Sequence, residues 1–246
     1  MTFCLAFRVE EGLGVLADTR LTTGNEQVSA GKLSSHRLGG RPFFITTSGL
    51  RSGRDKALTY FEEELARLRA VPGRLHEVAE IFGKQVRRVV REDKWSLEGS
   101  GLSFNLHTLL GGRLEEDAEP KLYLIYPQAN WVEVSRDSPY FCLGQSAYAK
   151  PLLDRLLAWD TPLETAFKVG VLAFDAARTS VTDVGLPLDA AVLRREGGDL
   201  VEARFERQHL EETAEGWRQG LAALVGRLPA PWLERLGVGA AEGGRP

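Results

Sequence analysis

Strand-like and helix-like segments arrive in this chain in blocks, and that order constrains its fold more than any other feature. Residues 2–9 alternate, with Phe3, Leu5, Phe7 and Val9 on one face and Thr2, Cys4, Ala6 and Arg8 on the other. A Glu10-Glu11-Gly12 turn leads into a second strand over 13–18, which predicts a hairpin. Two further strands, 32–38 and 42–47, flank Gly39-Gly40. Then come two helices. Ala57, Leu58, Phe61, Leu65 and Leu68 set the first over 54–70, stopped by Pro72-Gly73; Leu75, Val78, Ile81, Phe82, Val86 and Val89 set the second, over 75–91. Strand character returns at 102–110, 121–126 and 131–134. Two more helices follow, at 147–157 and 164–178, the latter opening on a capping-box-like Thr161-Pro162-Leu163-Glu164. A hairpin over 188–194 and 200–205 closes across Gly197-Gly198. The tail, 210–236, is helical with breaks at Pro229 and Pro231, and runs out in Gly and Ala. Strict βαβ alternation is absent. Blocks of strands with paired helices predict an α+β fold, two antiparallel sheets stacked face to face with helices outside.

A length of 246 residues suits one larger domain or at most two small ones, and no internal repeat or long linker divides it. With 43% hydrophobic and 26% charged residues the chain can fill a core and stay soluble. A net charge of -3 supplies no general field for nucleic acid or an anionic membrane. Lys84, Arg87, Arg88 and Arg91 fall at the spacing of a solvated helix face, without stacking aromatics, so neither partner is expected. Two distant cysteines, Cys4 and Cys142, cannot make a disulfide framework or a zinc site; they read as small buried hydrophobes in a reducing compartment. No signal-peptide pattern and no run of 18 apolar residues is present, which predicts a cytoplasmic protein. His36, His76, His107 and His209 are scattered, with no metal spacing, and no cofactor is expected. Gly12-Leu-Gly14-Val-Leu-Ala17 has the glycine spacing of a dinucleotide fingerprint, but that motif must sit between a strand and a helix. Thr19 to Gly24 cannot continue a helix, so these are turn glycines of the hairpin.

Thr2 carries the chemistry. Methionine aminopeptidases clear Met1 when the second residue is small, and threonine qualifies. The exposed residue then bears a hydroxyl and an α-amine of pKa about 7.7 to 8.0, so near neutrality nucleophile and base come preassembled. Asp18 ends the strand expected to pair with the first, which places its carboxylate near Thr2. Lys32 begins the next strand, where its ammonium would ease hydroxyl ionisation while Asp18 keeps it charged and oriented. Gly49 falls where the fourth strand turns into the first helix, and its N–H is a candidate for an oxyanion.

The segments around these residues resemble a known family. Met1 to Arg8, with Gly14 to Arg20, is similar to the opening of proteasome β-type subunits and of the bacterial HslV protease, and most of all to Anbu, the bacterial ancestral β-subunit family. Phe141 to Arg155, with Gly144, Ser146, Tyr148, Lys150, Pro151, Asp154 and Arg155, supports the likeness independently, as does the segment from Phe174 to Asp189. The resemblance spans about residues 1–205 and leaves 206–246 as a helical extension, packing on the same domain or on a neighbouring subunit. It implies a four-layer αββα sandwich and threonine-dependent hydrolysis of peptide bonds in a peptide or unfolded-protein substrate, inside a homo-oligomer. The family's nucleophile falls on Thr2, its aspartate on Asp18, its lysine on Lys32, its oxyanion glycine on Gly49 and the serine near the amine on Ser146. One departure stands out: where β-subunits carry an Asp and a Ser three residues apart, this chain has Ser180 and Asp183. The same fold also admits a self-assembling scaffold with little catalysis, or an amidohydrolase acting on small amides. No nucleotide-binding motif is present, so any ATPase partner would be a separate chain.

Overall fold

The protein is described by a computed structural model that covers residues 2–23 and 26–237. Met1, with the processing expected there, and the Gly- and Ala-rich end lie outside the described residues. Strands β1 (Phe3–Val9) and β2 (Gly12–Asp18) form the expected hairpin, in register from Cys4 opposite Ala17 to Val9 opposite Gly12. Gly12 opens β2 and Gly14 lies inside it, so both glycines of the dinucleotide-like string belong to a strand rather than to the turn.

Two five-stranded antiparallel sheets make up the frame. The first has the order β10-β1-β2-β11-β12, with β10 at Tyr140–Gly144, β11 at Leu188–Arg194 and β12 at Leu200–Phe205. The second has the order β5-β6-β7-β8-β9, with β5 at Leu33–Leu38, β6 at Arg41–Gly49, β7 at Leu106–Gly112, β8 at Lys121–Ile125 and β9 at Trp131–Glu133. A small hairpin of β3 (Arg20–Thr23) and β4 (Glu26–Ser29), which sequence pattern does not show, carries the chain from the first sheet to the second. Its strands are too short and polar to alternate visibly.

Helices cover the outer faces. Strand β6 leads into α1 (Arg51–Arg67) and then α2 (Leu75–Gly99), which pack on the second sheet around Phe43, Ile45, Phe61, Phe82 and Val86. Helix α2 runs well past residue 91, and Arg88–Glu92 and Lys94–Glu98 pairs one turn apart support the extension. On the other side are α3 (Ser146–Leu156) and α4 (Leu163–Ser180). The Thr161 hydroxyl accepts a bond from the Ala158 N–H at 2.8 Å, and no side chain caps α4, so the capping box read there does not form.

Alternation along β1 therefore separates two buried environments. All seven of its residues are buried. Phe3 and Phe7 meet Phe174 and Phe167 of α4, with ring centroids 5.6 and 5.1 Å apart. Cys4 and Ala6 enter the core between the sheets, with Phe44, Leu109 and Leu122. This is the expected four-layer αββα sandwich. Helix α5 (Arg207–Val225) starts at its end. The chain divides into compact units after His209, and the second unit continues α5 and adds a 3₁₀ turn, Pro231–Leu236, with none of their residues buried. Among the described residues, no helix is long and apolar enough to cross a membrane.

Candidate active site

The hairpin register sets Thr2 beside the end of β2, and the crossover through β3 and β4 returns the chain to the same place at Lys32. Asp18 is fully buried, at 0% exposure, and Thr2 and Lys32 are 6% and 7% exposed. One carboxylate oxygen organises the group. Asp18 Oδ1 accepts the Phe3 N–H at 2.8 Å and the Lys32 ammonium at 2.5 Å. The peptide nitrogen that follows Thr2 and the lysine charge thus share a single acceptor atom. Lys32 also donates to the Arg20 carbonyl at 2.8 Å. Burial pushes the Asp18 carboxyl above its ordinary value; the Lys32 charge, and behind it the Phe3 and Gly185 amides, pull it back.

Thr2 is held on its other edge by β10. Its carbonyl accepts the Gln145 N–H at 2.8 Å. Gly144, at φ 79°, lies against that carbonyl so closely that a Cβ there would sit 1.8 Å from the oxygen. Ser146, half-buried, opens α3 one residue further on.

Gly49 ends β6 in a left-handed conformation, φ 134°, where a Cβ would fall 1.8 Å from the Asn105 carbonyl oxygen. The chain can turn there into α1 only without a side chain. A buried thiol joins β1, which starts just after Thr2, to β6, which ends at Gly49. Cys4 Sγ donates to the Thr47 carbonyl at 3.6 Å and accepts the Thr46 hydroxyl at 3.2 Å.

Ser180 and Asp183 are placed differently from one another. The Ser180 hydroxyl donates to the Ala176 carbonyl of its own helix at 2.7 Å and is exposed, while Asp183 is half-buried in the following loop. Sequence reasoning missed the backbone contributors, the Arg20 carbonyl and the Phe3 and Gly185 amides, because main-chain groups leave no letter to read.

Burial pushes both thiols up to about 12. At pH 8 only about one thiol in 10⁴ is then ionised. Iodoacetamide at that pH is expected to leave Cys4 and Cys142 unmodified in the folded protein and to alkylate both in denaturant, read by intact mass. Fast native alkylation of Cys4 would make that thiol a rival nucleophile.

A family model described as proteasome subunit matches residues 2–192. Among solved structures, the chain is similar to an Anbu mutant (Gly-1) from Hyphomicrobium sp. strain MC1, 27% identical with a TM-score of 0.85 over 94% of this chain and 99% of that one. It is similar to Anbu, the ancestral β-subunit, from Yersinia bercovieri, 26% identical with a TM-score of 0.82 over 93% and 98%. A helical assembly of the Anbu complex from Pseudomonas aeruginosa is 28% identical, with a TM-score of 0.85 over 93% and 98%. No curated protein sequence matches.

Proposed function

The chain belongs to the proteasome subunit family, and from that premise we propose that it is a threonine peptidase, armed when Met1 leaves Thr2 at the N-terminus. The observation that carries this reading is the shared oxygen of Asp18, which ties Lys32 to the peptide bond following Thr2. The ammonium has three protons, and the Asp18 and Arg20 acceptors engage two of them. The third serves the Thr2 hydroxyl.

In the reaction the α-amine, directly or through a water near Ser146, takes the proton from the Thr2 hydroxyl. The oxygen attacks a peptide carbonyl carbon, Lys32 lowers the energy of the alkoxide, and the Gly49 N–H receives the oxyanion. The amine passes its proton to the leaving nitrogen as the C–N bond breaks. Water then attacks the Thr2 ester and releases the acid. Like the helical assembly of the Pseudomonas aeruginosa relative, this chain self-assembles, and the tail, with Leu224, Val225, Leu228, Trp232 and Leu236 exposed, offers apolar surface to a neighbouring copy.

Intact mass of the purified protein, before and after treatment with a peptide epoxyketone, tests the reading. Protein beginning at Thr2 is expected to gain one adduct, mapped to Thr2. The labelling rate is expected to rise with pH as the α-amine gives up its proton and becomes able to accept that of the hydroxyl. Protein that begins at Thr2 and takes no label would favour the scaffold reading, which the inward bond of Ser180 to its own helix supports.

A further inference from the structure

Lys32 depends on three residues of irregular chain, Ala30 to Lys32, between β4 and β5. Each is tied to a different part of the chain. The Ala30 N–H donates to the Thr19 carbonyl at 2.8 Å, and the Lys32 carbonyl accepts the Thr47 N–H at 3.3 Å. The Gly31 carbonyl, between them, accepts from a side chain: Arg54 Nη1 of α1, at 3.1 Å.

We propose that Arg54 is a positioning residue for Lys32, clamping the Gly31 peptide so that the ammonium stays on Asp18. This rests on the peptidase reading above. Gly31 itself supplies no rigidity. A Cβ there would meet nothing closer than 3.9 Å, so packing does not demand a glycine, and the glycine leaves the segment loose. Arg54 is suited to the clamp. Its side chain is only 14% exposed, and Asp55 takes its Nε at 2.8 Å and its Nη2 at 2.7 Å, which fixes the plane of the guanidinium and turns Nη1 towards Gly31. Helix α1 begins just after Gly49, so the clamp refers Lys32 to the element whose start sets the candidate oxyanion donor. The Arg54 charge is felt at the Cys4 thiol together with those of Lys32 and Asp18, which places it at the same cluster.

The test compares Arg54→Ala and Arg54→Lys with the parent, each confirmed to begin at Thr2. Hydrogen exchange is read over residues 29–33, and kcat and KM are read on acidic, basic and neutral peptides. The expected result for Arg54→Ala is faster exchange confined to that segment, unchanged melting, and kcat lower by about ten- to a hundredfold on every peptide at constant KM. Arg54→Lys, which can still donate one bond, is expected to recover part of both. Unchanged exchange over 29–33 in Arg54→Ala would overturn the clamp whether or not the parent cleaves peptides. A loss confined to KM, or to acidic peptides, would overturn it too, by showing that Arg54 meets substrate. A parent that neither turns over peptide nor takes the epoxyketone would fail the peptidase reading alone, and the exchange measurement would still decide the clamp.

Discussion

Thr2→Ala protein is expected to fold and sediment as the same multimer as the parent and to cleave peptides at least about 10⁴-fold more slowly. The size of the loss follows from the economy of the site. Thr2 would bring both the attacking oxygen and the base, so removing its hydroxyl leaves no second nucleophile to take over. Cys4, the neighbour with suitable chemistry, is buried at 0% exposure and its thiol stays protonated. The fold should not notice the change. The hydroxyl and methyl of Thr2 are small, and the bonds that hold the residue run through its carbonyl and the next amide. Peptide turnover and sedimentation on one preparation check both halves. Retained cleavage would discard Thr2 as nucleophile, and a parent that sediments as a monomer would discard the assembly.

The second large effect is on stability. Asp18→Ala leaves the Lys32 ammonium in a buried place without its carboxylate, and breaking a buried pair in this way costs about 3–5 kcal/mol. For a domain of this size that lowers the melting temperature by about 10 °C. Adding Lys32→Met removes the stranded charge, and the double variant is expected to recover most of the lost stability and none of the activity. The comparison matters because burial already works against the ionised Asp18 carboxyl. A pair kept for stability alone would be replaceable by apolar residues, and one kept for chemistry would not. Melting curves of the two single variants and the double variant decide it. Strictly additive losses would show that the two side chains do not act as a unit, and would remove the basis for the charged-lysine step.

Much of this is legible in the sequence. Helical spacing found α1 to α4 because each buries one stripe, and the alternation of residues 2–9 found β1. It did not reveal that β1 has no wet side: Phe7 and Ala6 are both apolar, and only the layers on each face separate them. The pair of β3 and β4 was invisible because four-residue polar strands carry no period. Strand β10 was hidden too, since Tyr140 to Gly144 is a short apolar run of mixed size and Pro139 stands before it. In the site, Asp18 could be read as the charge that closes an apolar strand, and Lys32 as the charge that stands just before β5. Ser180 and Asp183 keep the family's three-residue interval but not its residues, and the Ser180 hydroxyl turns back on Ala176. A hydroxyl late in a helix can bond a carbonyl one turn earlier, and spacing alone does not show that choice.

The Gln145 bond to the Thr2 carbonyl, and the bare Gly144 that lets β10 come so near, hold the residue from its carboxyl side. Trimming then need not be a folding event. A chain still wearing its initiator methionine and a chain without it would share one scaffold and differ only in whether a nitrogen is acylated. A preparation that held both would show specific activity proportional to the armed fraction.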